Sequence, residues 1–167
     1  MEKRNIIFLD IDGCLNSINY LSTQPEILVD ERNVKNLEKI YKAVKSEIII
    51  ISTWAQAFRK DASAYEKYEM QKVLDYLFTF GIKTDGYIDM DDYQYIHRPE
   101  TVSLWVQEHL DEIGKFVVID DNHRFEEYQE AGLGDHVVIP KDFYNDDSLC
   151  GLTEEDAKRA IEIMTVD

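Results

Sequence analysis

Short apolar runs rich in isoleucine and valine recur along this chain, and stretches of helical period separate them. IIFL (residues 6–9), EIIIIS (47–52), KFVVID (115–120) and HVVIP (136–140) are too short for ordinary helices and too apolar for half-exposed strands; GYID (86–89) is a weaker member of the set. Runs of this kind suit strands buried on both faces of a sheet. Between them, residues 30–43 place Val34, Leu37, Ile40 and Tyr41 on one side, behind Asp30 as N-cap. Residues 65–80 carry Met70, Val73, Leu74 and Leu77 and stop at Gly81, which suits a helix C-terminus. Residues 99–109 open on a proline, whose missing N–H is harmless in a first turn. Residues 124–131 end at Gly132, and Thr153 caps 154–164 with acids in the first turn. Strand–helix alternation predicts an α/β fold: a Rossmann-like parallel sheet of about five strands with helices on both faces.

At 167 residues the chain suffices for one domain, expected over residues 1–167, and no repeat or Pro/Gly-rich linker divides it. Its composition, 44% hydrophobic and 31% charged, is that of a soluble globular protein. The N-terminal apolar run is short and broken by an aspartate, which argues against a signal peptide. No stretch reaches the ~20 apolar residues of a membrane span, so no membrane association is expected and the cytoplasm is the default location. Cys14 and Cys150, far apart in sequence, are expected to be free thiols, and two Cys with four scattered His give no zinc-site spacing. The net charge of −16 opposes binding along a phosphate backbone, because the basic residues are dispersed.

Ligands of such sheets bind beyond the carboxyl ends of the strands. The first strand ends at Asp10-Ile11-Asp12-Gly13, the second at Ser52-Thr53-Trp54 and the fourth at Asp120-Asp121-Asn122. Four carboxylates and two hydroxyls thus converge on one edge. One such acid is explained by a turn; three strand ends together point to a site.

These residues, in this order, resemble the haloacid dehalogenase (HAD) superfamily of phosphotransferases. Ile7-Phe8-Leu9-Asp10-Ile11-Asp12-Gly13-Cys14-Leu15-Asn16 is similar to its first motif, Ile48–Ser52 to its second and Val117–Asp121 to its fourth. The resemblance implies a Mg²⁺-dependent phosphatase in which Asp10 attacks phosphorus to form an aspartyl-phosphate. Asp12 would protonate the leaving oxygen and later deprotonate water. It gives Gly13 a turn that brings backbone N–H groups to the phosphoryl oxygens, and Ser52, or alternatively Thr53, a hydrogen bond to the same group. Mg²⁺ would be held by the Asp10 carboxylate, the Asp12 backbone carbonyl and an acid of the Asp120-Asp121 pair, with Asp121 favoured as the direct ligand. The third motif departs from the pattern: its lysine is missing from His97-Arg98-Pro99-Glu100, and Arg98 is the natural substitute for binding phosphate. His97 is expected to be structural or exposed, and Lys115 to face away from the carboxyl edge. Asn16, Trp54 and Trp105 carry a narrower resemblance, to the HAD domain of Swiss Army knife RNA repair proteins.

Residues 17–29 can form only a flap and 55–97 at most two helices and a weak strand, so no large cap is expected and the site is open. That admits a phosphorylated small molecule, a nucleic-acid end or another macromolecule; no obligate protein partner is implied. Residues 87–95, rich in tyrosine and acids, stand near the expected rim, where tyrosines could stack on bases. Two rival readings are a catalytically silent binding module, which would have no need of both Asp10 and Asp12, and phosphotransfer to an acceptor other than water. A receiver domain would place its acidic pair early and its phospho-acceptor later, the reverse of the order here.

Overall fold

The computed structural model describes residues 3–24, 26–89, 97–140 and 150–166. Five parallel strands form one sheet: β1 (Arg4–Leu9), β2 (Ser46–Ile50), β3 (Gly86–Tyr87), β4 (Ile113–Ile119) and β5 (Val137–Val138), in the spatial order β3-β2-β1-β4-β5. The helices are α1 (Ile18–Thr23), α2 (Glu31–Val44), α3 (Ala64–Thr79), α4 (Arg98–Glu108), α5 (Phe125–Glu130) and α6 (Glu154–Thr165).

Alternation along the strands explains why both faces are covered. Ile7, Leu9, Ile48, Ile50, Val117 and Ile119 point to one side, where they pack on Val34, Leu37 and Ile40 of α2, Val73 of α3 and Ala160 of α6. Ile6, Phe8, Ile49, Phe116 and Val118 point to the other and meet Val102 and Val106 of α4 and Tyr128 of α5. With both faces apolar the strands carry no alternating polar residues, which is why they read as continuous isoleucine and valine. Trp105, which carried part of the narrower resemblance, packs edge-on against Phe8 at 5.4 Å and so serves the core.

Helix ends follow local chemistry. Asp30 accepts from the Arg32 amide at the start of α2, and Gly81, just past α3, takes φ +72°. Thr153 and Asp156 form a reciprocal capping box on α6. Three elements were not expected among the described residues: α1, a 3₁₀ turn over Thr53–Phe58 that Ser52 caps through its side chain, and a 3₁₀ turn over Gly134–His136. All are six residues or fewer, with little apolar periodicity to reveal them. Residues 90–96, which include Tyr93 and Tyr95 of the aromatic stretch, lie outside the described residues. Tyr87 is described and stacks on Phe58 at 4.7 Å. Cys14 and Cys150 are buried and are not joined by a disulfide. Among the described residues no helix is long and apolar enough to cross a membrane.

Removing the α6 cap tests this local account. Thr153→Ala is expected to destabilise the fold by about 1 kcal/mol, read as a lower urea midpoint with an unchanged m-value.

Candidate active site

Parallel pairing decides which residues meet at the carboxyl edge. Leu9 is in register with Ile119 on one side and Ile50 on the other. Asp10 and Asp120 therefore leave neighbouring strands side by side, with Ser52 just beyond β2. The Asp10 amide still donates to the Ile119 carbonyl at 2.9 Å. The chain grows from β1 to β2 and β3 on one side, then crosses to β4 on the other. The β1/β4 boundary is thus the switch point at which open α/β sheets bind ligands.

Asp10 and Asp120 are 3% and 0% exposed, and two carboxylates this deep oppose each other's charge. Arg98, the first residue of α4, answers them. Its Nη1 donates to Asp10 Oδ2 at 2.5 Å and to Asp120 Oδ1 at 2.6 Å, with its side chain 9% exposed. Burial disfavours the guanidinium's charge, but the two acids outweigh it and push its pKa further up. Arg98, the sequence's substitute for the missing lysine, thus stands between the two acids at the carboxyl edge.

The two acids are solvated differently. Burial works against Asp120, yet donors surround it: Arg98 Nη1 and the Asn122 amide (3.1 Å) on Oδ1, His123 Nδ1 (3.0 Å) and the Tyr128 hydroxyl (2.6 Å) on Oδ2. These donors and the Arg98 charge hold its pKa well below the usual carboxylate range. Because a carboxylate can only accept, His123 carries its proton on Nδ1. Tyr128, pushed up chiefly by burial, keeps its own. Asp10 has one backbone donor, Ile11 N–H to Oδ1 at 2.9 Å, besides Arg98. Burial raises its pKa, Arg98 lowers it, Asp120 raises it again, and the net direction is upward.

Asp12 has a separate set of partners. Asn16 Nδ2 donates to its Oδ1 at 3.0 Å and Trp54 Nε1 to its Oδ2 at 2.9 Å. Asn16, fully buried, also donates to the Leu28 carbonyl at 2.9 Å and accepts from the Gly13 amide at 3.1 Å. The amide of Gly13 itself is therefore engaged by Asn16. Gly13 is needed for another reason. Its φ is +77°, and a Cβ there would lie 1.8 Å from Asp121 Oδ2, so only glycine lets Asp121 close over the loop. Ser52 is 1% exposed and its Oγ accepts from the Trp54 amide at 3.3 Å, whereas Thr53 is exposed. Of the two hydroxyls, Ser52 is the inward one. His97 is exposed, and Lys115 sits near the start of β4, with Nζ on the Val166 carbonyl at 2.7 Å.

Oxygens of Asp10, Asp120 and Asp121 lie within 4.8 Å of one another, a group that could hold a metal ion. The set is all oxygen, as hard divalent cations require. The upward push on Asp10 is what a cation would reverse. Asp120 already serves four donors, which favours Asp10 and Asp121 as direct ligands.

His123, Tyr128 and the Asn16–Trp54 pair around Asp12 had no role assigned to them from the sequence. For His123 and Tyr128 the signal is weak: an aromatic and a histidine shortly after the acidic pair, read only once α5 is known to fold back over β4.

The model of one family, the HAD domain in Swiss Army Knife RNA repair proteins, matches residues 6–157. No curated protein and no solved structure matches the chain.

The buried charge cluster predicts opposite effects for its members. Without divalent cation, Arg98→Ala is expected to lose about 3–5 kcal/mol, because two buried carboxylates lose their shared counter-charge. Asp10→Asn removes the surplus negative charge and is expected to unfold no earlier than wild type. Urea denaturation of the three proteins at neutral pH measures both effects.

Proposed function

This chain belongs to the family of HAD domains in Swiss Army Knife RNA repair proteins, and from that premise we propose that it is a Mg²⁺-dependent phosphomonoester hydrolase working through an aspartyl-phosphate on Asp10. The observation that carries the reading is the Asp10–Arg98–Asp120 cluster at the switch point, with Asp12 on the adjoining flank. Family membership points to phosphatase-type chemistry; the residues below give it a mechanism.

Asp10 Oδ1 is tied to the Ile11 amide, so Oδ2, beside Arg98, is the oxygen turned to attack phosphorus. As the Asp10–phosphorus bond forms, the ester oxygen departs and takes a proton from Asp12. Water then attacks the same phosphorus, gives its proton to Asp12, and releases phosphate with the Asp10 carboxylate restored. Both carboxylates bind Arg98 through Nη1, which leaves the rest of the guanidinium fork to meet phosphoryl oxygens. Ser52 Oγ accepts from the Trp54 amide and keeps its own proton to donate. Asp10, Asp121 and the Asp12 carbonyl would hold Mg²⁺, which when bound neutralises charge on the transferring phosphoryl group. Trp54 and Asn16 fix Asp12 at both oxygens, so the acid–base group is held before substrate arrives.

With only α1 and fifteen connecting residues between β1 and α2, too few for a large cap, the site admits a small phosphoester or a phosphorylated nucleic-acid end. The net charge of −16 favours substrates with little negative charge beyond the reacting phosphate.

Asp10→Asn and Asp12→Asn are each expected to abolish Mg²⁺-dependent hydrolysis of p-nitrophenyl phosphate while keeping the wild-type circular dichroism spectrum; near-normal turnover by Asp10→Asn would defeat the mechanism. Asp121→Asn should move the Mg²⁺ titration to higher concentration. Trp54→Phe, which keeps the ring and loses the N–H, should slow an alkyl phosphate at least about tenfold more than p-nitrophenyl phosphate, whose leaving group needs little protonation. Equal slowing of both esters would reduce Trp54 to a packing residue.

A further inference from the structure

A pocket of about 410 Å³ lies between the 3₁₀ turn after β2, the first turns of α3 and Leu28, and Trp54 of its lining bonds Asp12. Its size is that of a small-molecule site. Three of its walls are joined to the catalytic apparatus. Trp54 donates to Asp12, Leu28 accepts from the Asn16 that holds Asp12, and Thr53 follows Ser52. This matters because Asp12, on the hydrolase reading, protonates the departing oxygen. The group that departs must lie near Asp12, and Trp54 and Leu28 connect that residue to the pocket.

The lining states what kind of group fits. It is mainly apolar and includes two aromatic side chains, Trp54 and Tyr65; Tyr65 is 71% exposed and so presents its ring to solvent at the mouth. Gln56 adds an amide that can pair with ring heteroatoms. Glu66 and Glu69 add negative charge, offset in part where Glu69 meets Lys72 at 3.6 Å. An apolar slot with aromatic walls favours a flat ring, and its acids oppose an anionic one.

We propose that this pocket is the leaving-group subsite, and that it selects phosphomonoesters whose alcohol carries an uncharged planar ring. The proposal rests on the hydrolase reading for the position of the leaving group, and its test separates the two. Three alkyl esters with leaving oxygens of similar basicity are compared: 2-phenylethyl phosphate, n-propyl phosphate and 2-(4-carboxyphenyl)ethyl phosphate. Wild type is expected to prefer the phenylethyl ester over the propyl ester by about tenfold in kcat/KM, the scale of one aromatic stacking contact, and to lose most of that preference for the carboxylated ring. Tyr65→Ala should bring the phenylethyl-to-propyl ratio close to one, and Tyr65→Phe should restore it. A wild-type ratio near one, or a preference that survives Tyr65→Ala, overturns the proposal. Should wild type turn over none of these esters, nor p-nitrophenyl phosphate, the hydrolase reading fails, and calorimetry on Asp10→Asn decides the pocket alone: tighter binding of the phenylethyl ester supports it, and equal binding of the two esters overturns it.

Discussion

The structure turns on one buried guanidinium. Pairing β1 with β4 in parallel brings Asp10 and Asp120 together where water is nearly absent, and two like charges there would repel strongly. Arg98 binds both through one nitrogen and is itself nearly buried. A lysine could supply the charge; an arginine supplies it on a flat fork with further donors aimed elsewhere. The arrangement spans α4, β1 and β4, so it locks a helix to the two central strands and shapes the site at the same time.

Around that guanidinium the acids differ by their surroundings. Asp120 accepts from four groups and is held as a structural anion. Asp10 has one backbone donor and Arg98, and burial leaves it the less comfortable of the two. On the proposed mechanism, such an imbalance separates a fixed counter-ion from a nucleophile without any difference in residue type. Asp12, two residues along, belongs to another set of contacts altogether, through Asn16 and Trp54. Three aspartates within reach of one strand switch point thus hold three different positions.

Much of this could be read from the chain. The isoleucine and valine runs announced doubly covered strands, and Asp10, Ser52 and Asp120 stood at their ends as parallel topology requires. Arg98 was recognisable because it begins the helix before β4. Other features depend on contacts that no local pattern encodes. Tyr128 reaches Asp120 only because α5 folds back across the sheet, and His123 only because the loop after Asp121 turns. Trp54 carried only a family likeness in sequence; its ring packs against the core, and its indole N–H has a second task that only the coordinates of Asp12 reveal. Gly13 illustrates the converse. The turn was foreseen, but its amide serves Asn16, and the need for glycine comes from the approach of Asp121.

The central claim, that the oxygen of Asp10 beside Arg98 attacks phosphorus, can be tested on the covalent intermediate itself. Wild-type protein mixed with Mg²⁺ and a phosphomonoester, quenched in acid within one turnover and mapped by peptide mass spectrometry, should carry phosphate on the peptide containing Asp10, with borohydride converting that residue to homoserine. Phosphate on any other side chain, or product release with Asp10 never modified, would contradict the account.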